Sequence, residues 1–156
     1  MKKAWIAGIS LVLMLGIFFG CIRSSQPMSS REFCSAMKEK GYTVTRETEP
    51  TAIQDCQKLV IATNDQNISC HYYCMKNADS AQKVYDSRVD HLREQYDGSK
   101  VVSSEMKTSQ SGRYTVEAAG QYCTVLRREN TVLCVEAGPE YSGEVKAVVQ
   151  QVASGS

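Results

Sequence analysis

The stretch YCTVLRRENTVLCVEA, Tyr122 to Ala137, reads as two strands joined by a turn too short for anything but a hairpin. Tyr122 to Arg127 and Thr131 to Ala137 are rich in β-branched and aromatic residues. Glu129-Asn130 supplies the tight turn, because Asn tolerates positive φ. With that loop Cys123 faces Glu136 and Cys134 faces Val125. With Arg128-Glu129 as the loop, Cys123 and Cys134 lie opposite each other instead. The preference of Asn for the turn favours the first register.

The hairpin extends in both directions. Upstream, Ala119-Gly120 joins it to a strand at Arg113 to Ala118. Ser109 to Gly112 reads as a turn after Val101 to Lys107. Downstream, Gly138-Pro139 breaks the sheet. A helix from about Ser142 sets Val145, Val148, Val149 and Val152 on one face, with Ala153 to Ser156 expected to fray. In the first half, Ser29 and Glu32 form a capping-box pattern for a helix at Ser30 to Lys40. Phe33, Cys34 and Met37 share a face of it, and Gly41 suits its C-terminus. Strands follow at Tyr42 to Thr48, Lys58 to Thr63 and Ile68 to Met75. Asn77 to Tyr96 is a second helix, striped by Ala81, Val84, Tyr85, Val89, Leu92 and Tyr96, with Asp79 and Gln82 as its capping pair. The order α-βββ-α-ββββ-α with short turns predicts an α+β fold. It is a mostly antiparallel sheet whose apolar face is covered by three helices.

The chain has 156 residues, 42 % hydrophobic and 22 % charged, which suits one globular domain. Eighteen Lys plus Arg against 17 Asp plus Glu leave +1. Without Lys2 and Lys3 the balance tips to the acidic side by one. Such a chain lacks the basic surplus of a nucleic-acid binder, so no nucleic-acid partner is expected.

Met1 to Ile22 carries an address. Lys2 and Lys3 precede an apolar run from Ala4 to Phe19, then Gly20-Cys21 and the polar Arg23-Ser24-Ser25-Gln26-Pro27. That order is an export signal. Phe18-Phe19-Gly20-Cys21 resembles the lipobox of bacterial lipoprotein signal peptides. Gly20 and Cys21 match it, while Phe18 and Phe19 are bulkier than its usual residues. The resemblance implies a signal peptide at 1–20, a diacylglycerol on the Cys21 thiol and a lipid anchor in the cell membrane. Two acyl chains suffice for stable anchoring. An uncleaved helix at Ala4 to Ile22 is an alternative, being nearly long enough to span a hydrocarbon core of about 30 Å. Full secretion is a third. All three put the domain on the extracytoplasmic side, with 21–28 as a tether and 29–153 as the domain.

A second resemblance runs from Phe33 to Val152. Phe33-x-x-x-Met37-x-x-x-Gly41-Tyr42, Ala81-x-x-x-Tyr85, Gly120-Gln121-Tyr122 and Arg127-x-x-Asn130-Thr131 resemble small uncharacterised lipoproteins of Gram-positive gut anaerobes. That set implies no activity. Cys70, Cys74, Cys123 and Cys134 stand where it has aromatic or aliphatic residues.

Six cysteines remain beside Cys21: Cys34, Cys56, Cys70, Cys74, Cys123 and Cys134. Outside the cytoplasm they are disulfide candidates, with 15 possible pairings. Cys70 and Cys74, roughly 13 Å apart along a strand, should not pair with each other. Free buried thiols are the alternative. Cys70-His71-Tyr72-Tyr73-Cys74 resembles a metal site in residue type only, since strand alternation turns His71 away from both cysteines. His71 and His91 are the only histidines for a Cys-His hydrolase, and no nucleophile elbow, zincin, phosphate-loop or dinucleotide motif is present. The expectation is a non-catalytic module without metal or cofactor that binds an envelope protein or glycan, or builds the envelope. A thiol-dependent envelope enzyme is the alternative. Arg127, Arg128 and Asn130 at the hairpin tip are candidates for gripping an anion or a partner, or simply a charged turn that keeps the edge soluble.

Overall fold

The computed structural model describes residues 26–98 and 100–155. Residues 1–20, Cys21 and most of the stretch read as a tether lie outside the described residues. Eleven elements follow in order: α1 (Ser30–Glu39), β1 (Thr43–Thr48), β2 (Cys56–Thr63), β3 (Ser69–Met75), α2 (Ala78–Gln95), β4 (Val102–Lys107), β5 (Ser111–Ala118), β6 (Gln121–Arg128), β7 (Thr131–Ala137), a 3-10 turn (Pro139–Tyr141) and α3 (Ser142–Ser154). The class is α+β, in the α-βββ-α-ββββ-α order read from the sequence.

The strands form one sheet ordered β1-β2-β3-β7-β6-β5-β4. Every neighbouring pair is antiparallel. Each half of the chain is a meander, and β3 against β7 welds the two together. The β6–β7 register is the one that Glu129-Asn130 favours: Cys123 faces Glu136 and Cys134 faces Val125. The positive φ falls on Glu129 and not on Asn130. Asn130 is spent otherwise, as described below.

The helices do not share one face of the sheet, which corrects the sequence reading. α1 and α3 pack on one side, over Val60, Ala62, Tyr72, Leu126, Leu133 and Val135. α2 packs on the other, over Leu59, Tyr73, Tyr114, Val116, Val125 and Val132. Central strands are therefore buried on both faces, and Thr131 to Val135 is buried at every position. Strands of this kind read as continuous apolar runs instead of alternating ones.

Local chemistry fixes the ends of the elements. Ser29 Oγ accepts from Glu32 N–H and Glu32 Oε2 accepts from Ser29 N–H, completing the capping box. That bonding holds the Glu32 carboxyl below its ordinary pKa. On α2 the cap is Asn77, whose Oδ1 accepts from Ser80 N–H at 2.8 Å, and not the Asp79–Gln82 pair. α3 stays helical through Ser154 and ends on left-handed Gly155, so Ala153 and Ser154 are not frayed. Met28, read as the tether's end, is 4 % exposed, and its carbonyl accepts from Tyr72 Oη. Tyr72 stacks on Phe33 at 4.5 Å, a contact of about 0.5–1.5 kcal/mol beyond its burial. Among the described residues no helix is long and apolar enough to cross a membrane.

Two glycines test this packing. A Cβ on Gly112 would meet Tyr85 Cζ at 2.9 Å, and the Tyr85 ring is fully buried. Gly112→Ala should cost about 1–3 kcal/mol. Gly143→Ala, with nothing within 4 Å, should be neutral or stabilise by about 0.4–1 kcal/mol. Urea unfolding of both variants checks the contrast, and equal midpoints would contradict the α2–β5 packing.

Candidate functional site

His71, His91, Cys123 and Cys134 meet beneath α2. Strand alternation turns His71 and Tyr73 towards α2, while Cys70 and Tyr72 join the core under α1 and α3. The pentapeptide Cys70 to Cys74 is thus split between faces, as its alternation predicts. The pairing across β3, β7 and β6 then builds two rows. One holds His71, Cys134 and Val125, and the next holds Ser69, Glu136 and Cys123. Arg88, His91 and Leu92 of α2 close over them. The pocket they line is small, ≈ 50 Å³, room for a few waters, and is partly open to solvent.

The chemistry of this cavity is muted. His71 Nε2 lies 3.1 Å from Ser69 Oγ. Burial, then the Arg88 charge, pushes the His71 imidazole towards its neutral form. Arg88 Nη2 donates to Tyr73 Oη at 2.8 Å and covers the Tyr73 ring. Burial pushes the Cys134 thiol up to about 12 and the Cys123 thiol up to about 11. A nucleophilic cysteine needs the reverse, a thiolate stabilised by a neighbouring cation. Among the described residues no three His, Cys, Asp or Glu side chains converge to hold a metal ion.

The six disulfide candidates Cys34, Cys56, Cys70, Cys74, Cys123 and Cys134 are all free thiols in this structure. The register explains why Cys123 and Cys134 are not a cross-strand pair. They sit diagonally, each opposite another residue. Burial pushes Cys70 up to about 12 and Cys74 up to about 11. Cys56 is raised too, mainly by burial, and its Sγ donates to the Lys58 carbonyl at 3.4 Å.

The hairpin-tip residues read as a grip are structural ties. Arg127 is 1 % exposed, and its Nη2 donates to the Thr108 and Ser109 carbonyls at 3.0 and 3.3 Å. Its Nε is buried without a partner. Arg128 Nη1 donates to the Ala153 carbonyl, tying the hairpin to the end of α3. Asn130 Nδ2 donates to the Met75 carbonyl at 3.1 Å, and the Asn130 carbonyl accepts from Met75 N–H at 2.8 Å. All three side chains are thus bonded to the chain's own backbone.

An open groove lies elsewhere, between α1 and β1. Arg31, Cys34, Ser35 and Lys38 come from α1, and Val44 and Arg46 from β1. The space is ≈ 480 Å³, nearly ten times the cavity under α2. Arg31, Lys38 and Arg46 are exposed, and none makes an ion pair among the described residues. Three unpaired cations around one groove attract anions, with the two guanidinium forks suited to phosphate or carboxylate. Sequence reading missed this cluster. Arg31 and Lys38 are two helical turns apart, and only the packing of α1 beside β1 adds Arg46.

No protein-family model matches this chain, and no curated protein matches it. Two solved structures align with it at low identity. A GTP-binding regulator from Thermotoga maritima aligns with a TM-score of 0.52 and 14 % identity, over 82 % of this chain and 92 % of that one. The extracellular domain of PknH from Mycobacterium tuberculosis aligns with a TM-score of 0.42 and 13 % identity, over 83 % and 98 %. The first likeness is one of fold alone.

The thiol chemistry gives a pH prediction. In the folded chain Cys70 and Cys134 hold their protons from the ordinary 9.0 up to about 12. The unfolded chain releases them first as pH rises. Their contribution to stability is therefore full below about pH 9 and is lost towards pH 12. Urea midpoints should fall across that window, and Cys134→Ala should make the fall shallower. Iodoacetamide at pH 8 should label Cys70, Cys123 and Cys134 slowly in native protein and quickly in urea. Fast native labelling would contradict the buried, protonated state.

Proposed function

We propose that this protein is a non-catalytic binding module. In this reading it is held on the extracytoplasmic face of the cell membrane by a diacylglycerol on Cys21. It binds an anionic, phosphate- or carboxylate-bearing glycan of the cell envelope in the groove between α1 and β1. The observation that carries the binding reading is the trio Arg31, Lys38 and Arg46, unpaired around an open space of ≈ 480 Å³. The lipid anchor is supported by Lys2-Lys3, the apolar run to Phe19 and Gly20-Cys21. The absence of catalysis is supported by the neutral, deeply held thiols beside His71, which lack the activation a cysteine nucleophile requires.

The placement of the groove suits this role. It flanks α1, the first element after the tether, so it lies within about 30 Å of chain from Cys21. A ligand in the envelope next to the membrane would be within reach. Exposed cations each contribute up to about 1 kcal/mol to such binding, and salt screens them.

Two measurements test the reading separately. Intact mass of protein extracted from its native membrane should show a chain beginning at Cys21 with added diacylglyceryl mass. A full-length mass would replace the lipid by an anchor helix. Binding to polyphosphate, a simple polyanion, should weaken as salt rises. It should fall about tenfold or more when Arg31, Lys38 and Arg46 are all changed to Gln, while uncharged dextran should not bind. Unchanged polyphosphate affinity in that triple variant would sink the groove as the site.

A further inference from the structure

Among the described residues, the large apolar side chains left exposed are Val101, Val102 and Met106, at 40, 72 and 72 %. All belong to β4 or its first flanking residue, and β4 is an edge strand exposed along its whole length. An open edge with apolar side chains is a template for pairing. The opposite edge, β1, is guarded: Arg46 and Glu47 are exposed on it, and Val44 is covered by α1. On β4 the two charges are drawn away from the edge. Glu105 is held by Arg93 at 2.6 Å and Lys107 by Asp86 at 2.7 Å, both on α2. No helix covers Val102 and Met106, which point to the α3 side. α3 packs mainly on β6 and β7.

The backbone direction can be read from the β4–β5 turn. Thr108 N–H donates to the Ser111 carbonyl at 2.7 Å. By the antiparallel alternation, Val102, Ser104 and Met106 spend their N–H and C=O groups on β5. Ser103, Glu105 and Lys107 turn theirs outward, unpaired by the sheet.

We infer that β4 pairs antiparallel with β4 of a second copy of this chain, about a two-fold axis at Ser104, to make one continuous sheet. The register is self-complementary. Val102 meets Met106 of the second copy, twice by symmetry, and Ser104 meets its own copy. On the other face Ser103 meets Glu105, and Val101 meets Lys107. The outward groups of Ser103 and Glu105 satisfy each other across the axis. An axis one residue later would set Glu105 directly against its own copy, and like charges in that position are destabilising. The interface is isologous, so it closes at two chains. Six residues of edge pairing bury less than the ~1,200–2,000 Å² of a stable complex, so the dimer is reversible and depends on concentration.

Sedimentation velocity of the full chain, in detergent with micelles in excess over protein, tests this. A reversible monomer–dimer equilibrium is expected. Met106→Glu should weaken it about tenfold or more, because it sets a charge against Val102 of the second copy. Met106 is 72 % exposed and faces Arg113 on β5, so the melting temperature of the monomer, read in dilute solution, should not fall. Adding Val102→Lys, which faces Glu117, sets opposite charges across the axis and should restore the dimer. A chain that stays monomeric to millimolar concentration overturns the inference. So does a dimer indifferent to Met106→Glu, or one that the second change fails to restore. Monomer that instead binds phosphatidylglycerol vesicles through Val102 and Met106 would assign the strip to lipid and overturn it equally.

Discussion

The pairing of β3 with β7 is the constraint on which the rest of this molecule depends. Six residue pairs, from Ser69 with Glu136 to Cys74 with Thr131, join two meanders that otherwise share no strand. Both faces of the seam are buried, so it draws hydrophobic stabilisation from α1 and α3 on one side and α2 on the other. Its end is locked by Asn130, which exchanges two hydrogen bonds with the Met75 backbone. The seam also decides which chemistry-bearing residues meet. His71 stands beside Cys134 only because these two strands are adjacent, and both are then held neutral by the same burial.

Local elements were legible in the sequence because their signals are local. The Ser29–Glu32 capping box, the valine face of α3 and the Glu129-Asn130 turn each lie within a few residues. What stayed hidden is non-local. The strand order, with β3 beside β7, cannot be read from turns that only join neighbours. The two-sided packing was concealed by reading helix stripes without knowing which way each helix returns over the sheet. Continuous burial in β6 and β7 was the available signal, since a one-faced sheet would alternate.

The candidate sites divide in the same way. Arg127-Arg128-x-Asn130 looks like a charged surface turn, and the sequence offers no sign that carbonyls of three other segments converge on it. The basic groove is the converse, assembled from residues 31, 38 and 46 by helix periodicity and one packing contact. Reactive residue types were poor guides to which groups stand exposed. The thiols and the His71 imidazole are buried or half-buried in the packing, while Arg31, Lys38 and Arg46 stay exposed.

The topology also bears on the order in which the chain becomes itself. α1 and α3 come from opposite ends of the domain and complete one core together, with Phe33 and Val149 both fully buried in it. That core cannot close until α3 is available. α3 itself packs on its near neighbours β6 and β7, and the long-range step that slows folding is the β3–β7 pairing, which joins residues as distant as Ser69 and Glu136. A chain threaded across a membrane with its N-terminus leading would present α1, β1, β2 and β3 first, their apolar face still bare. The core under α2 draws on nothing after β7, so it can close first, and only the core under α1 waits for the last helix.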